Sequence, residues 1–136
     1  MSVLWPPATF ESARSAYLAD LENLPEAPVG FARWVDRAVA QHAGLTRNCR
    51  AALAGQLPTE SADRRPGVSR SFTISSATVA AMQAAIIMDA RHTDRVVNRN
   101  RFAGEAVRAA VEVARRRNGG TLPSAPGRLP TTSQRR

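Results

Sequence analysis

The chain has 136 residues, a formal net charge of +8 at pH 7, 43% hydrophobic residues and only 5% aromatic ones. That length suits one domain and a tail, with a core drawn mainly from Ala, Val, Leu and Ile, and it excludes a barrel enzyme or a full dinucleotide-binding domain. No apolar run reaches the roughly 18 residues of a membrane span. Met1–Pro7 has neither the charge nor the apolar length expected of a signal peptide, and the single Cys49 excludes an internal disulfide framework or a Cys-rich zinc site.

All 19 basic residues are arginine, whose planar fork suits phosphate and guanine recognition. They are unevenly placed. Residues 1–63 hold 5 Arg against 7 acidic residues, a net of −2, whereas residues 64–136 hold 14 against 4, a net of +10. A polyanionic partner is therefore expected on the C-terminal half.

Residues 1–58 read as partly helical. Phe10, Tyr17, Leu18 and Leu21 recur at helical spacing behind Thr9, a possible N-cap, and Pro25 and Pro28 end that segment. A second helix is expected over 31–40, with Phe31, Trp34, Val35 and Ala38 on one face, and a weaker one over 47–54. Residues 59–67, rich in Pro, Gly, Ser and charge, read as a linker.

Residues 68–118 carry the clearest pattern. Val68–Ser75 alternates as a strand, with Val68, Phe72 and Ile74 on one face and Ser69, Ser71, Thr73 and Ser75 on the other. Ser75 or Ser76 can cap a helix running to about Arg91, striped by Val79, Met82, Ile86 and Ala90. A polar connection without glycine, His92–Arg99, leads to a second helix capped by Asn98 or Asn100. Its stripe is Phe102, Ala106, Ala109 or Ala110 and Val113, with Val107 and Val111 beside it, and Asn118–Gly120 ends it. Arg115, Arg116 and Arg117 suit the helix dipole in the last turn. Residues 119–136 read as a disordered basic tail.

A lone strand with two helices leaves both strand edges open and buries too little surface to stand alone. A second copy would resolve both problems by pairing the strands into an antiparallel ribbon over four interlocked helices. Arg70–Ser75, the helix after it and Asn98–Arg108 together resemble a ribbon-helix-helix DNA-binding domain. The fold class expected is thus mainly α: one strand plus two helices per chain, an intertwined dimer and a partly helical N-terminal extension. The shared dimer core would hold Phe72, Ile74, Val79, Met82, Ile86, Phe102, Ala106, Val107 and Ala110.

The resemblance implies that Ser71 and Thr73, with Ser69 at the rim, contact base edges, and that Arg70, Asn98, Arg99, Asn100 and Arg101 contact phosphates. A region ahead of such a domain in a small basic protein is similar to the centromere-binding adaptors of plasmid partition systems. That implies a homodimer binding repeated centromere-like sites on double-stranded DNA in cooperative arrays. It also implies a Walker-type partition ATPase as partner, stimulated by an arginine of the N-terminal region: Arg14, Arg33 or Arg37. A cytoplasmic, nucleoid- or plasmid-associated location follows, with no membrane partner.

Two alternatives stay open. One keeps the fold in a transcriptional repressor or an antitoxin. The other is a basic helical protein that binds RNA or an acidic protein. No nucleophile–base set, phosphate-cradling glycine loop or paired carboxylates appear, so neither an enzyme nor a cofactor is expected. His42 and His92 stand far apart without ligand partners, so no metal is expected. Cys49 is expected to be buried or partly buried, and Trp5 and Trp34 to anchor packing, Trp34 with the option of touching a partner.

Overall fold

The computed structural model describes residues 1–57 and 65–124. Most of the expected linker and tail, residues 58–64 and 125–136, lie outside the described residues. The elements run β1 (Ser2–Trp5), α1 (Pro7–Asn23), α2 (Phe31–Ala43), α3 (Arg47–Gln56), β2 (Val68–Ser71), α4 (Ser76–Thr93) and α5 (Arg99–Arg117).

The expected fold class does not hold. The chain has five helices and closes its own sheet, rather than offering one strand and two helices to a second copy. β1 pairs antiparallel with β2, with Ser2 opposite Ser71, Val3 opposite Arg70, Leu4 opposite Ser69 and Trp5 opposite Val68. The physical reason lies in the first five residues. Val3 and Trp5 point inward and are buried, while Ser2 and Leu4 point outward and are exposed. This is the alternation of a half-buried strand. β1 thus covers the edge that a partner chain was expected to cover. Because β1 is short, β2 ends at Ser71 rather than Ser75. One further pair follows it, with Phe72 N donating to Met1 O (2.8 Å) and Met1 N to Phe72 O (2.9 Å).

Residues 2–43 are likewise no extension, since they build half of the core. The chain runs strand–helix–helix twice, as β1–α1–α2 and β2–α4–α5, with α3 between. α1 packs on α5 as α4 packs on α2, and α2 and α5 pack on each other between them. The halves thus face each other about an approximate two-fold, and corresponding residues match in sequence order. Ser2, Thr9, Ala13, Ala16 and Asp20 answer to Ser71, Thr78, Met82, Ala85 and Asp89 at one constant offset. Trp34, Val35, Ala38 and Val39 answer to Phe102, Ala103, Ala106 and Val107 at an offset one residue shorter, and all eight are buried.

Phe72, Met82, Phe102, Ala106 and Val107 are therefore core residues of a single chain, with Ile74, Ile86 and Ala110 half-buried at its margin, whereas Val79 is half-buried but does not pack against that core. The core also holds aromatic residues from both halves. Phe31 stacks on Trp34 (5.9 Å between ring centroids) and meets Phe72 edge-on (5.8 Å), and Phe72 meets Trp5 (6.0 Å).

Local chemistry sets the helix ends. α1 starts at Pro7, ahead of the expected Thr9 cap, because a proline's fixed φ suits the first helical position. Gly30 opens α2 at φ 118°, a conformation open to glycine, and its N–H donates to the Tyr17 hydroxyl (2.7 Å). Ser75 caps α4 and Asn98 caps α5, each side chain accepting from a backbone N–H three residues on. Asp94, at φ 54°, takes the left-handed turn after α4 that a glycine would ordinarily occupy. Cys49 is exposed, contrary to expectation, because α3 turns Arg50 rather than Cys49 toward the core. Among the described residues no helix is long and apolar enough to cross a membrane.

Candidate nucleic-acid interface

The ribbon presents an outward face of Ser2 and Leu4 from β1 and Ser69 and Ser71 from β2, continued by Thr73, and all five are exposed. The Ser2 and Ser71 hydroxyl oxygens lie 2.8 Å apart. Leu4 is 57% exposed on this otherwise hydroxyl-lined surface.

A helix N-terminus flanks each side. On the β1 side, the Asn100 carboxamide clamps the strand: its Oδ1 accepts from Leu4 N (2.7 Å) and its Nδ2 donates to Leu4 O (3.4 Å). Asn98 Oδ1 accepts from Arg101 N (2.8 Å). Both side chains are thus committed to structure. Arg99 and Arg101 are exposed, with Arg101 Nε 3.8 Å from Glu105 Oε1. On the β2 side, Phe31 of α2 packs against Phe72, and Asp36 Oδ2 accepts from Ser75 N (3.0 Å). No side chain caps this end of α2. Arg33, in its first turn, is exposed and corresponds by the internal two-fold to Arg101.

The other arginines singled out from sequence sit differently. Arg70 is exposed but has the inward parity of its strand. Its guanidinium lies over the Phe10 ring at 5.3 Å and donates to Ser69 O (3.0 Å). The Arg14 guanidinium lies 5.7 Å from the centroid of the same ring. Arg37 is half-buried and donates to Glu26 O (3.1 Å). Sequence reasoning missed Ser2 and Leu4 as surface positions and placed Arg33 in a separate region. The alternation of Ser2–Trp5 and the recurrence of Ala8–Thr9 as Ala77–Thr78 carried that information.

A buried ionic network holds this scaffold together. Arg50 of α3 donates to both carboxylate oxygens of Asp89 of α4 (Nη2 to Oδ1 2.7 Å, Nε to Oδ2 2.9 Å). It also bonds the Ala43 and Leu45 carbonyls. Arg95, in the turn before α5, bridges Asp89 (3.3 Å) and Glu105. His42 Nε2 stands 3.9 Å from Glu105 Oε2, an electrostatic contact beyond hydrogen-bond range. Burial works to raise the Glu105 pKa, but His42 and Arg95 together outweigh it and hold the carboxyl below its ordinary range. Among the described residues no group of three His, Cys, Asp or Glu is placed to hold a metal ion.

No protein-family model, curated protein or solved structure matches this chain.

Proposed function

We propose that this chain binds double-stranded DNA, laying the outward face of its ribbon in the major groove with the first turns of α2 and α5 on the flanking phosphates. The observation that carries the reading is the placement of Arg33 and Arg101 at corresponding first-turn positions on either side of an exposed, hydroxyl-lined two-stranded ribbon. B-DNA's major groove admits a ribbon of this width. Hydroxyls of Ser69, Ser71 and Thr73 donate to or accept from base edges, and Leu4 and the Thr73 methyl suit thymine methyl groups. Free N–H groups and the positive end of a helix favour phosphate, and the arginines add to that field. The net charge of +8 supplies the nonspecific attraction on which such readout builds.

A more specific form of the proposal is an adaptor that brings a Walker-type partition ATPase to DNA. A repressor would use the same DNA face. Stimulation of such an ATPase by the DNA-bound protein separates the two roles.

The test is selection from a random double-stranded oligonucleotide pool, followed by binding of the selected and of scrambled duplexes by wild type and Thr73→Ala. The reading expects a defined motif and a loss of about 1–3 kcal/mol on the selected duplex, with scrambled DNA little affected. Equal loss on every duplex, or no enriched motif, contradicts it.

A further inference from the structure

α4 is apolar on two sides. Its inward side packs Met82 and Ala85 into the core. On the opposite side, at helical spacing, lie Ala77, Ala80, Ala81, Ala84, Ile87 and Met88. All six are exposed, Ile87 at 52% and Met88 at 44%. No residue from 76 to 88 carries a charge, in a chain where 22% of residues do. A helix that is apolar all round is ordinarily a buried one, yet no described residue covers this face. Gln83, Arg91 and His92, all exposed, give it the polar rim of an interface.

The internal two-fold supplies a comparison. α1 carries Glu11, Ser12 and Ser15 where α4 carries Ala80, Ala81 and Ala84. The architecture therefore does not require an apolar outer face on this helix, and only one of the two related helices has it.

The shape of the face selects its occupant. Its bulk, Ile87 and Met88, lies toward the C-terminal end of α4, and its flat part, Ala77, Ala80 and Ala81, toward the start. Two copies crossed antiparallel about a two-fold at Ala84 would set Ile87 on the partner's Ala81 and Met88 on the partner's Ala80. Each large side chain then meets a small one, and the same surface serves both chains, as an isologous contact requires. Each chain carries +8, so two copies repel, and an uncharged face is where their approach costs least. We infer that the chain pairs with a second copy of itself through α4, while each ribbon stays closed within its own chain. A contact one helix wide and about 18 Å long falls below the roughly 1,200 Å2 of stable interfaces, so the dimer is weak and reversible. The inference is independent of DNA binding.

The test is sedimentation equilibrium of the full chain, free of nucleic acid, up to about 0.5 mM protein, a range that captures weak contacts. Wild type is expected to follow a monomer–dimer equilibrium that tightens between about 0.05 and 0.5 M salt, as repulsion between like-charged chains is screened. Ala84→Glu brings two carboxylates together on the axis and weakens the dimer at least about tenfold. Ser15→Glu, the same change at the matching position of α1, leaves association within about twofold of wild type, since that face lies outside the contact. Should Ala84→Glu melt below wild type, Met88→Lys on the same face takes its place with the same expected loss. A chain that stays monomeric throughout, as it would if residues 58–64 or 125–136 covered α4, overturns the assignment. So does a dimer that salt weakens, one that survives the α4 substitutions, or one that Ser15→Glu disrupts equally.

Discussion

Ser2 and Ser71 face each other across the ribbon with their hydroxyl oxygens 2.8 Å apart, on strands that begin the two halves of one chain. The neighbouring Met1–Phe72 pair exchanges both backbone hydrogen bonds. Ser2 and Ser71 therefore form a non-hydrogen-bonded pair, whose side chains approach most closely in an antiparallel ladder. The ribbon is closed within the chain, and its two strands carry different outward residues. The residue two places beyond Ser2 is Leu4, and the residue two places beyond Ser71 is Thr73. A DNA site read by this surface is accordingly asymmetric in sequence, with an apolar contact toward one half and a hydroxyl toward the other.

If the first turns of α2 and α5 clamp phosphates on both flanks, Arg33→Ala and Arg101→Ala each weaken binding to all duplexes alike. Each lowers the slope of log affinity against log salt by close to 0.9, and the double variant lowers it by about twice that. Fluorescence anisotropy titrations across a salt series measure the slope. A change for Arg101→Ala alone would place Arg33 outside the interface.

The Arg50–Asp89 pair joins α3 to α4 with side chains almost wholly withdrawn from solvent. Removing one partner strands the other charge in the interior, so Arg50→Met and Asp89→Leu are each expected to cost about 3–5 kcal/mol in urea unfolding. The double variant costs much less than the two losses added, because no unpaired charge is left between those two positions. Additive losses would show that the pair is not coupled as the distances indicate.

Glu105 gives a pH dependence of known sign. Its pKa is lower in the folded protein, so its ionisation stabilises the fold above the ordinary glutamate value of about 4.3. That contribution fades as pH falls through the folded value. Urea midpoints followed from neutral pH down to about pH 3 are expected to converge for wild type and Glu105→Gln, with wild type the more stable only at the upper end. Parallel curves would contradict the lowered pKa.

Much of the helical layout is legible in the sequence because it is written in local chemistry. Ser75 and Asn98 are capping residues directly ahead of periodic apolar stripes, and the helices start where they stand. β1 is harder to read. Four residues give only two turns of alternation before Pro6 and Pro7, too little for a pattern to stand out. Missing β1 led directly to a second chain, since an unpaired β2 needs a partner from somewhere. The correspondence between halves is also masked, because buried positions related by the two-fold carry different side chains, Ala13 against Met82 and Trp34 against Phe102. The burial of Arg50 has no local signal at all. It depends on Asp89, 39 positions away, and on two carbonyls at the end of α2 and just beyond it. On the candidate interface, Ser69, Ser71 and Thr73 are readable as an outward face by parity alone, whereas Ser2, Leu4 and Arg33 join them only through tertiary pairing.

The most direct test of a ribbon closed within one chain is a cross-strand disulfide. Ser2→Cys and Ser71→Cys, combined with Cys49→Ser, place two thiols at a pair whose spacing suits a disulfide. After oxidation of the dilute protein, intact mass and non-reducing electrophoresis are expected to show a monomer that has lost two hydrogens. A disulfide-linked dimer as the main product would mean that β2 pairs with another chain, and the single-chain ribbon would be wrong.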